Sequence, residues 1–309
     1  MFSAIGELLV DFLPADNFNE NHSYIFKAGG APANVACGTA KLGIESRIIS
    51  KVGKDYIGKK LKEEIEKNGV NTDMITESGY NTTLAIVSLD EKGERGFSFY
   101  RNNTADINLN HNDFSFEEVR KSKIIHFGSL GLTANPSRKT HYNLLKDYQG
   151  ITTFDPNLRL NLWSSKNEAK KVITDALNYA DVVKMSYDEL VFISDESDTE
   201  KAMKKIYTEN MSFMVITLGE KGSLYYDGNQ ILTAESIKIK PIDTTGAGDA
   251  FMSGIIYYVD SFGLNMEINI IKEMLKFSNI CGALTTTKKG AIGSFPEKEE
   301  ILKYMESEG

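Results

Sequence analysis

Short β-branched runs alternate with helix-period stretches along most of this chain, and that alternation constrains the fold more than any single motif does. Strand-like runs cover Phe2–Val10, Arg47–Val52, Lys123–Phe127, Thr152–Asp155, Asp181–Met185 and Phe213–Leu218; their β-branched residues are bounded by Gly, Asp or Asn. Between them, Ile57, Leu61 and Ile65 recur at i, i+4, i+8 and stop at Gly69, a suitable residue just past a helix end. Ile270, Met274, Phe277, Cys281 and Leu284 form a second stripe. The repeated β-α order predicts an α/β fold, a mostly parallel sheet with helices on both faces. Sheets of this kind bind ligands at the carboxyl ends of their strands.

Two segments break the alternation. Phe12–Lys27 has no helical period, and Thr83–Arg101 reads as two strands joined at Asp90–Glu94. Segments 12–28 and 83–103 are therefore expected to form a small sheet projecting from the main one, either a lid over a site or a decorative hairpin. No internal repeat or low-complexity linker divides the chain, so residues 1–309 read as a single domain.

Composition narrows the function classes. Acidic residues outnumber basic ones 43 to 35, giving a net charge of −8, which argues against a nucleic-acid partner. Cys37 and Cys281 belong to no CxxC or Cys/His cluster and sit in apolar helical patterns, so they read as buried thiols. His22, His111, His126 and His141 lack ligand spacing and read as structural, and Trp163 as core. The segment MFSAIGELLVDFLP has no basic n-region and carries Glu7 and Asp11, unlike a signal peptide. No run of about 18 apolar residues occurs, so no membrane partner is expected and the setting reads as cytoplasmic.

The chemistry concentrates in two glycine clusters. In DTTGAGDAF, Asp243 to Phe251, small residues precede a strongly apolar helical run. Gly246, Ala247 and Gly248 would then open a buried helix, whose free N–H groups and dipole make an anion site. Asp249 stands where it could take a proton from a hydroxyl attacking a bound phosphate; an acid at a helix N-terminus is equally a common dipole partner. No Lys-Ser/Thr follows the glycines, so this is not a Walker A loop. In AGGAPANVA, Ala28 to Ala36, Gly29 and Gly30 precede a proline-started helix with Asn34 in its first turn. Asp11 and Asn34 offer paired donor and acceptor contacts for sugar hydroxyls; a tight turn before a small-residue helix is the alternative.

Together the two clusters resemble the signatures of the ribokinase (PfkB) family of ATP-dependent sugar kinases, and the resemblance spans essentially the whole chain. It implies a ribokinase-like three-layer α/β sandwich with a protruding β-sheet lid, a sugar site beneath the lid and an ATP site toward the C-terminal half. Asp249 would be the catalytic base and Gly246-Ala247-Gly248 the anion hole, with Asp11, Gly29, Gly30 and Asn34 holding the sugar. TLGEKG, Thr217 to Gly222, resembles the loop beside the ATP phosphates and ribose, which brings in Thr217, Gly219 and Gly222. Asn279 matches a helix residue near the adenine. KMSYDE departs from the family's Asn-x-x-Glu element, with Ser186 in place of Asn. Glu189 is kept for a water-mediated Mg²⁺ role, with a solvated helix charge as the alternative. A K⁺ site is implied at Asp243, Thr245, Thr285, Lys288, Gly290 and Ser294, where residues alone show only a polar turn.

FSFYRNNTAD, HFGSLGL and FDPNLRLNLW look like the fructokinase branch. Arg101 would reach the sugar from the lid side, and Arg159 would tie its loop to the lid or substrate, or form a structural salt bridge. Leu9, where ribokinases often carry a polar residue, argues against ribose. Kinases of 2-keto-3-deoxygluconate, 5-dehydro-2-deoxygluconate or a riboside remain alternatives, as does a non-catalytic sugar-binding protein. Lid sheets of the family often pair, which allows a homodimer.

Overall fold

The computed structural model describes residues 1–15, 23–89 and 95–307. The expected hairpin turn at 90–94 and His22 lie outside them. The alternation becomes a ten-stranded sheet. Its order across the molecule is Ile231–Ala234, Ser223–Tyr226, Phe213–Thr217, Val182–Ser186, Ile151–Asp155, Ile124–Gly128, Phe2–Ile5, Ser46–Gly53 and Val70–Asn71, with Ile75–Ser78 also beside Ser46–Gly53. Pairing is parallel except where the strands 213–217, 223–226 and 231–234 form an antiparallel edge.

Successive strand residues face opposite sides of a sheet, and both sides here are apolar. Phe213 and Val215 join one core cluster, whereas Met214 and Ile216 join the other. Helices Ala31–Lys41, Tyr56–Lys67, Ala247–Phe262, Ile268–Thr285 and Lys298–Ser307 pack into the first cluster. Ser137–Lys146, Lys166–Leu177, Tyr187–Ser194 and Thr199–Ile206 pack into the second. The sheet is thus sandwiched between two helix layers. Helix Tyr56–Lys67 shows how the local sequence does it: the Asp55 side chain accepts the Gly58 N–H at 2.7 Å, and the predicted stripe buries Leu61 and Ile65.

One predicted strand is in fact two. Phe2–Ile5 belongs to the main sheet, whereas Leu9–Pro14 runs in a separate four-stranded sheet ordered Tyr24–Gly29, Leu9–Pro14, Leu84–Leu89, Arg95–Tyr100. The chain turns at Gly6, where a Cβ would sit 2.7 Å from Pro32 Cγ. Both halves are apolar and buried, so hydrophobicity could not reveal the break. The small sheet therefore begins at Leu9 rather than at 12, and Asp11 lies on one of its strands.

Phe2–Ile5 lies between Ser46–Gly53 and Ile124–Gly128. The chain builds outward from it first on one side and later on the other, which opens a crevice at the carboxyl ends of these strands. Elsewhere, Cys37 and Cys281 are buried free thiols, and Trp163 is buried. His126 and His141 are buried, and His111 is exposed. Burial, then Lys184, pushes the His126 pKa down to about 3, so that ring stays neutral beside Thr153. Among the described residues no helix is long and apolar enough to cross a membrane.

Candidate active site

A cavity of about 890 Å³ occupies the crevice. Glu7, Leu130, Asp155, Ser186 and Thr217, each at or just beyond the end of a main-sheet strand, line one part of it. Leu9, Asp11 and Phe99 of the small sheet line another, and Thr245, Gly246, Gly248 and Asp249 a third.

Helix Ala247–Phe262 is aimed by its first residues. Gly246 caps it at φ +81°, and a Cβ there would lie 2.7 Å from Ala291 Cβ, so both conformation and space require glycine. The first N–H groups of the helix have no intrahelical acceptor, and Gly246 and Gly248 bring that backbone to the cavity surface. Asp249 is only 6% exposed. Its Oδ2 accepts from Asn34 Nδ2 at 2.8 Å and its Oδ1 from Asn157 Nδ2 at 3.2 Å. Burial, then the Asp155 charge, pushes its pKa up to about 6, against the opposing pull of Asn34, Lys184 and Arg159. A carboxylate so tuned is ionised at neutral pH yet basic enough to take a hydroxyl proton.

The other glycine cluster serves the opposite wall. A Cβ on Gly29 would collide with the Asp11 carboxylate, and one on Gly30, at φ +108°, with the Glu7 carbonyl. Glu7 Oε1 accepts the Ala31 N–H at 3.0 Å and anchors the start of the Asn34 helix. Glu7 Oε2 and Asn34 Oδ1 are buried without a hydrogen-bond partner among the described residues.

The loop after Ile151–Asp155 joins the two walls. Asn157 sits in the left-handed region at φ +41°, which turns its amide to Asp249. The next N–H, of Leu158, donates to Glu189 Oε1 at 2.7 Å, while Glu189 Oε2 accepts from both the backbone N and Oγ of Ser186 at 2.8 Å. Ser186 and Glu189 thus form a capping box. Arg159 lines the cavity and donates to the carbonyl of Leu158 at 3.1 Å.

The remaining predicted residues divide. Asp11, Gly30, Asn34, Arg159, Ser186, Glu189, Thr217, Thr245, Gly246, Gly248 and Asp249 share the cavity. Arg101 does not reach it: its guanidinium is buried against Asp106 at 2.7 Å, Thr133 Oγ1 at 2.7 Å and the Leu130 carbonyl at 2.9 Å. The reason is the nearby Asp106 carboxylate, which holds the guanidinium away from the cavity. Gly219 turns at φ +61° after the strand ending at Thr217, and a Cβ on Gly222 would collide with the Ala234 carbonyl. Asn279 Nδ2 donates to Ser223 Oγ at 3.1 Å and the Ala234 carbonyl at 3.3 Å, binding its helix to the edge strands. Asp243 Oδ1 accepts the Thr245 N–H and Oδ2 the Gly290 N–H, both at 2.8 Å, which clamps the Gly246 loop to the segment after Thr285. Thr285 and Ser294 are buried, their hydroxyls turned to the Cys281 and Lys289 carbonyls, and Lys288 is exposed.

Lining residues that were not anticipated include Glu7, Asp155, Asn157 and Lys184. Two carried a visible signal, a charge inside an apolar run in IGELLV and in DVVKMS. The positions of Asp155 and Asn157 depend on strand order, which local sequence does not show.

Residues 1–298 match the PfkB family carbohydrate kinase. The chain belongs to the PfkB family of carbohydrate kinases. This PfkB kinase is 37% identical to fructokinase-1 of Oryza sativa subsp. japonica, over 98% of this chain and 97% of that protein. Among solved structures, it resembles the fructokinase of Xylella fastidiosa with bound ATP at a TM-score of 0.89 and 27% identity, covering 99% of this chain and 98% of that one. It also resembles the Vibrio cholerae O395 fructokinase double mutant in its fructose-, ADP- and potassium-bound form, at a TM-score of 0.88 and 32% identity, over 98% and 97% of the two chains. The ribokinase-like fold expected from the two glycine clusters is thereby shown.

The donor sets bear on metals. Among the described residues no group of three His, Cys, Asp or Glu side chains could cage an ion. Mg²⁺ commonly binds through nucleotide phosphates and water with one or two carboxylates. Glu189 in the cavity lining fits that outer role, its two oxygens already sharing three protein hydrogen bonds.

Proposed function

We propose that this kinase transfers the γ-phosphate of ATP to the 6-hydroxymethyl group of D-fructose, with Asp249 as general base and the Gly246–Gly248 amides as the anion site. One observation carries the reading: the base and the helix N-terminus meet in one cavity, with Asp249 held from both walls by Asn34 and Asn157. The sugar hydroxyl oxygen attacks the γ-phosphorus while Asp249 takes its proton. The bond from that phosphorus to the β,γ-bridging oxygen breaks, and ADP leaves with the electron pair. Amide dipoles fixed in advance at the helix start stabilise the charge that spreads over the transferred oxygens.

Several features support a small neutral sugar on the small-sheet side. Asp11 and Asn34 offer polar contacts beside Gly30, and Leu9 presents an apolar face where a ribose site would gain from a polar one. With Arg101 buried against Asp106, Arg159 is the arginine that lines the cavity, which weakens the case for a sugar acid. Fructose is also the sugar named with the Vibrio relative. Thr217, Ser186 and Glu189 would face the nucleotide, and Mg²⁺ held by its phosphates would supply further charge neutralisation. K⁺ would bind at carbonyls of the two segments that Asp243 joins through the Thr245 and Gly290 N–H groups, ordering the anion site. Closing the small sheet over the sugar would exclude competing water.

The test is a coupled ADP-release assay over fructose, ribose, 2-keto-3-deoxygluconate and aminoimidazole riboside, run in K⁺ and in tetramethylammonium at equal ionic strength. Fructose should give the highest kcat/KM, and K⁺ the faster turnover. Equal or better turnover of another sugar would reject the substrate, and equal rates in both salts would reject the cation site.

A further inference from the structure

Two buried oxygens on the small-sheet side of the cavity lack a donor among the described residues, Glu7 Oε2 and Asn34 Oδ1. The other half of each side chain is engaged. Glu7 follows the central strand Phe2–Ile5, and its Oε1 accepts the Ala31 N–H at 3.0 Å. Asn34 Nδ2 donates to Asp249 Oδ2 at 2.8 Å. Ala31 and Asn34 belong to one helix and, three residues apart, share a face. Helical side chains lean toward the N-terminus, so the Asn34 amide lies back over the turn that Glu7 holds.

A buried acceptor left unpaired is costly, and a single proton between these two oxygens would satisfy both. An amide oxygen has none to give and a carboxylate only accepts, whereas a carboxylic acid carries one donor. Glu7 is therefore the residue able to supply it. Burial, and then Asp106, push its pKa up to about 7 against its backbone hydrogen bonds and Arg101. The other ionisable groups on the elements packed around it are engaged elsewhere. Lys51 pairs with Asp113, and burial keeps His126 and His141 neutral. Asp11, Asp155, Lys184 and Asp249 line the rest of the cavity. Two acids whose surroundings push them to different values can divide the roles of proton holder and base.

We propose that Glu7 is a positioning residue for the general base: it keeps its proton, donates it in a hydrogen bond from Oε2 to Asn34 Oδ1, and so fixes the Asn34 amide with Nδ2 toward Asp249. The proposal rests on the reading of Asp249 as the base. Glu7 makes and breaks no covalent bond; it acts through Asn34. With Glu7 ionised, the Asn34 amide would gain by turning its Nδ2 to the Glu7 carboxylate. Its oxygen would then meet Asp249 Oδ2 as a second acceptor, and the base would lose the donor that holds it in place.

The test uses the full chain with Glu7→Gln and Glu7→Met, each assayed with the sugar that the wild type uses best. A glutamine Nε2 can donate where the acid did but does not titrate, whereas methionine donates nothing. Wild-type kcat/KM should rise with pH through the Asp249 transition near 6 and fall through the Glu7 transition near 7. Glu7→Met should lower kcat about 10–10²-fold, the scale of a misplaced catalytic group. Glu7→Gln should rescue that loss at pH 7 and abolish the alkaline fall; it carries the test alone if Glu7→Met does not fold. Infrared difference spectra of wild type against Glu7→Gln at pH 6, without sugar or nucleotide, should show the carbonyl stretch of a protonated carboxylic acid. That band separates the proposal from the reading beneath it. A band beside a fully active Asp249→Asn would reject the base itself, and the positioning role with it. A folded Glu7→Gln that keeps the wild-type alkaline fall, or a wild type without the acid band, overturns the proposal.

Discussion

Two cation–carboxylate pairs are buried almost equally in this molecule, yet their surroundings differ. Arg101 and Asp106 have side chains 4% and 2% exposed; Lys184 and Asp155, 7% and 1%. Each of the three Arg101 nitrogens has an acceptor inside the protein. Asp106 in turn accepts from Thr83 at 2.5 Å and Thr104 at 2.8 Å. Burial opposes the Asp106 charge, but Arg101, Thr83 and Thr104 hold its carboxyl below the usual range. That pair ties the end of strand Arg95–Tyr100 to the segment after Ile124–Gly128. In the other pair, Lys184 Nζ has one acceptor among the described residues, Asp155 Oδ2; Asp155 Oδ1 accepts the Asn157 N–H at 3.2 Å, and both members of the pair line the cavity. Depth of burial does not separate the two pairs; the donors left over, and what they face, do.

The largest effect on stability should come from the closed pair. Arg101→Met leaves Asp106 buried without its counter-charge, a loss that typically costs about 3–5 kcal/mol. Urea melts should show that drop, while kcat per folded molecule stays within a few-fold because the side chain does not touch the cavity. A folded Arg101→Met protein with normal stability and a sharply raised sugar KM would break the comparison and return Arg101 to the substrate.

Glu7 sharpens the same contrast with a smaller effect. It lines the cavity near the closed pair, and burial pushes its pKa up to about 7, against the pull of its backbone hydrogen bonds and Arg101. A raised carboxyl pKa means that the folded protein binds more protons than the unfolded chain between about 4.5 and about 7. Stability from this group therefore falls as pH rises across that window and levels off above it. The full shift corresponds to on the order of 3 kcal/mol. Glu7→Gln should be more stable than wild type at pH 8 by up to about that amount, with the difference fading toward pH 4.5. Thermal melts of both proteins across that range are the check. A difference independent of pH would mean that Glu7 is ionised throughout.

Much of this arrangement was legible in the sequence. The β-α alternation anticipated the sandwich, and the glycine clusters identified Asp249 and Asn34, which meet across 215 positions of chain. The break after Ile5 was hidden because both halves of Phe2–Val10 are equally apolar. The edge strands Ser223–Tyr226 and Ile231–Ala234 were missed because each is only four residues long. Lys184 was visible as a lone charge in DVVKMS, but its meaning depends on Asp155, placed by strand order, and on Gly248, placed by a helix from the other end of the chain. Arg101 erred in the opposite direction: a cation near expected sugar contacts looked available until the fold supplied Asp106.

The central claim is that Asp249 acts as a base and is not there for the fold, and Asp249→Asn tests it most directly. The substitution keeps the size and removes the proton acceptor, so single-turnover phosphorylation should slow by about 10²–10⁴-fold. Because burial has already pushed the Asp249 pKa up to about 6, ionising this carboxyl costs the folded state stability at neutral pH. The asparagine variant should melt at or above the wild-type temperature. An acid serving only the helix dipole predicts the reverse, a loss of about 0.3–1 kcal/mol with turnover intact. Slow transfer in a fully stable Asp249→Asn protein is the predicted result; near-wild-type transfer by that folded variant would contradict the account.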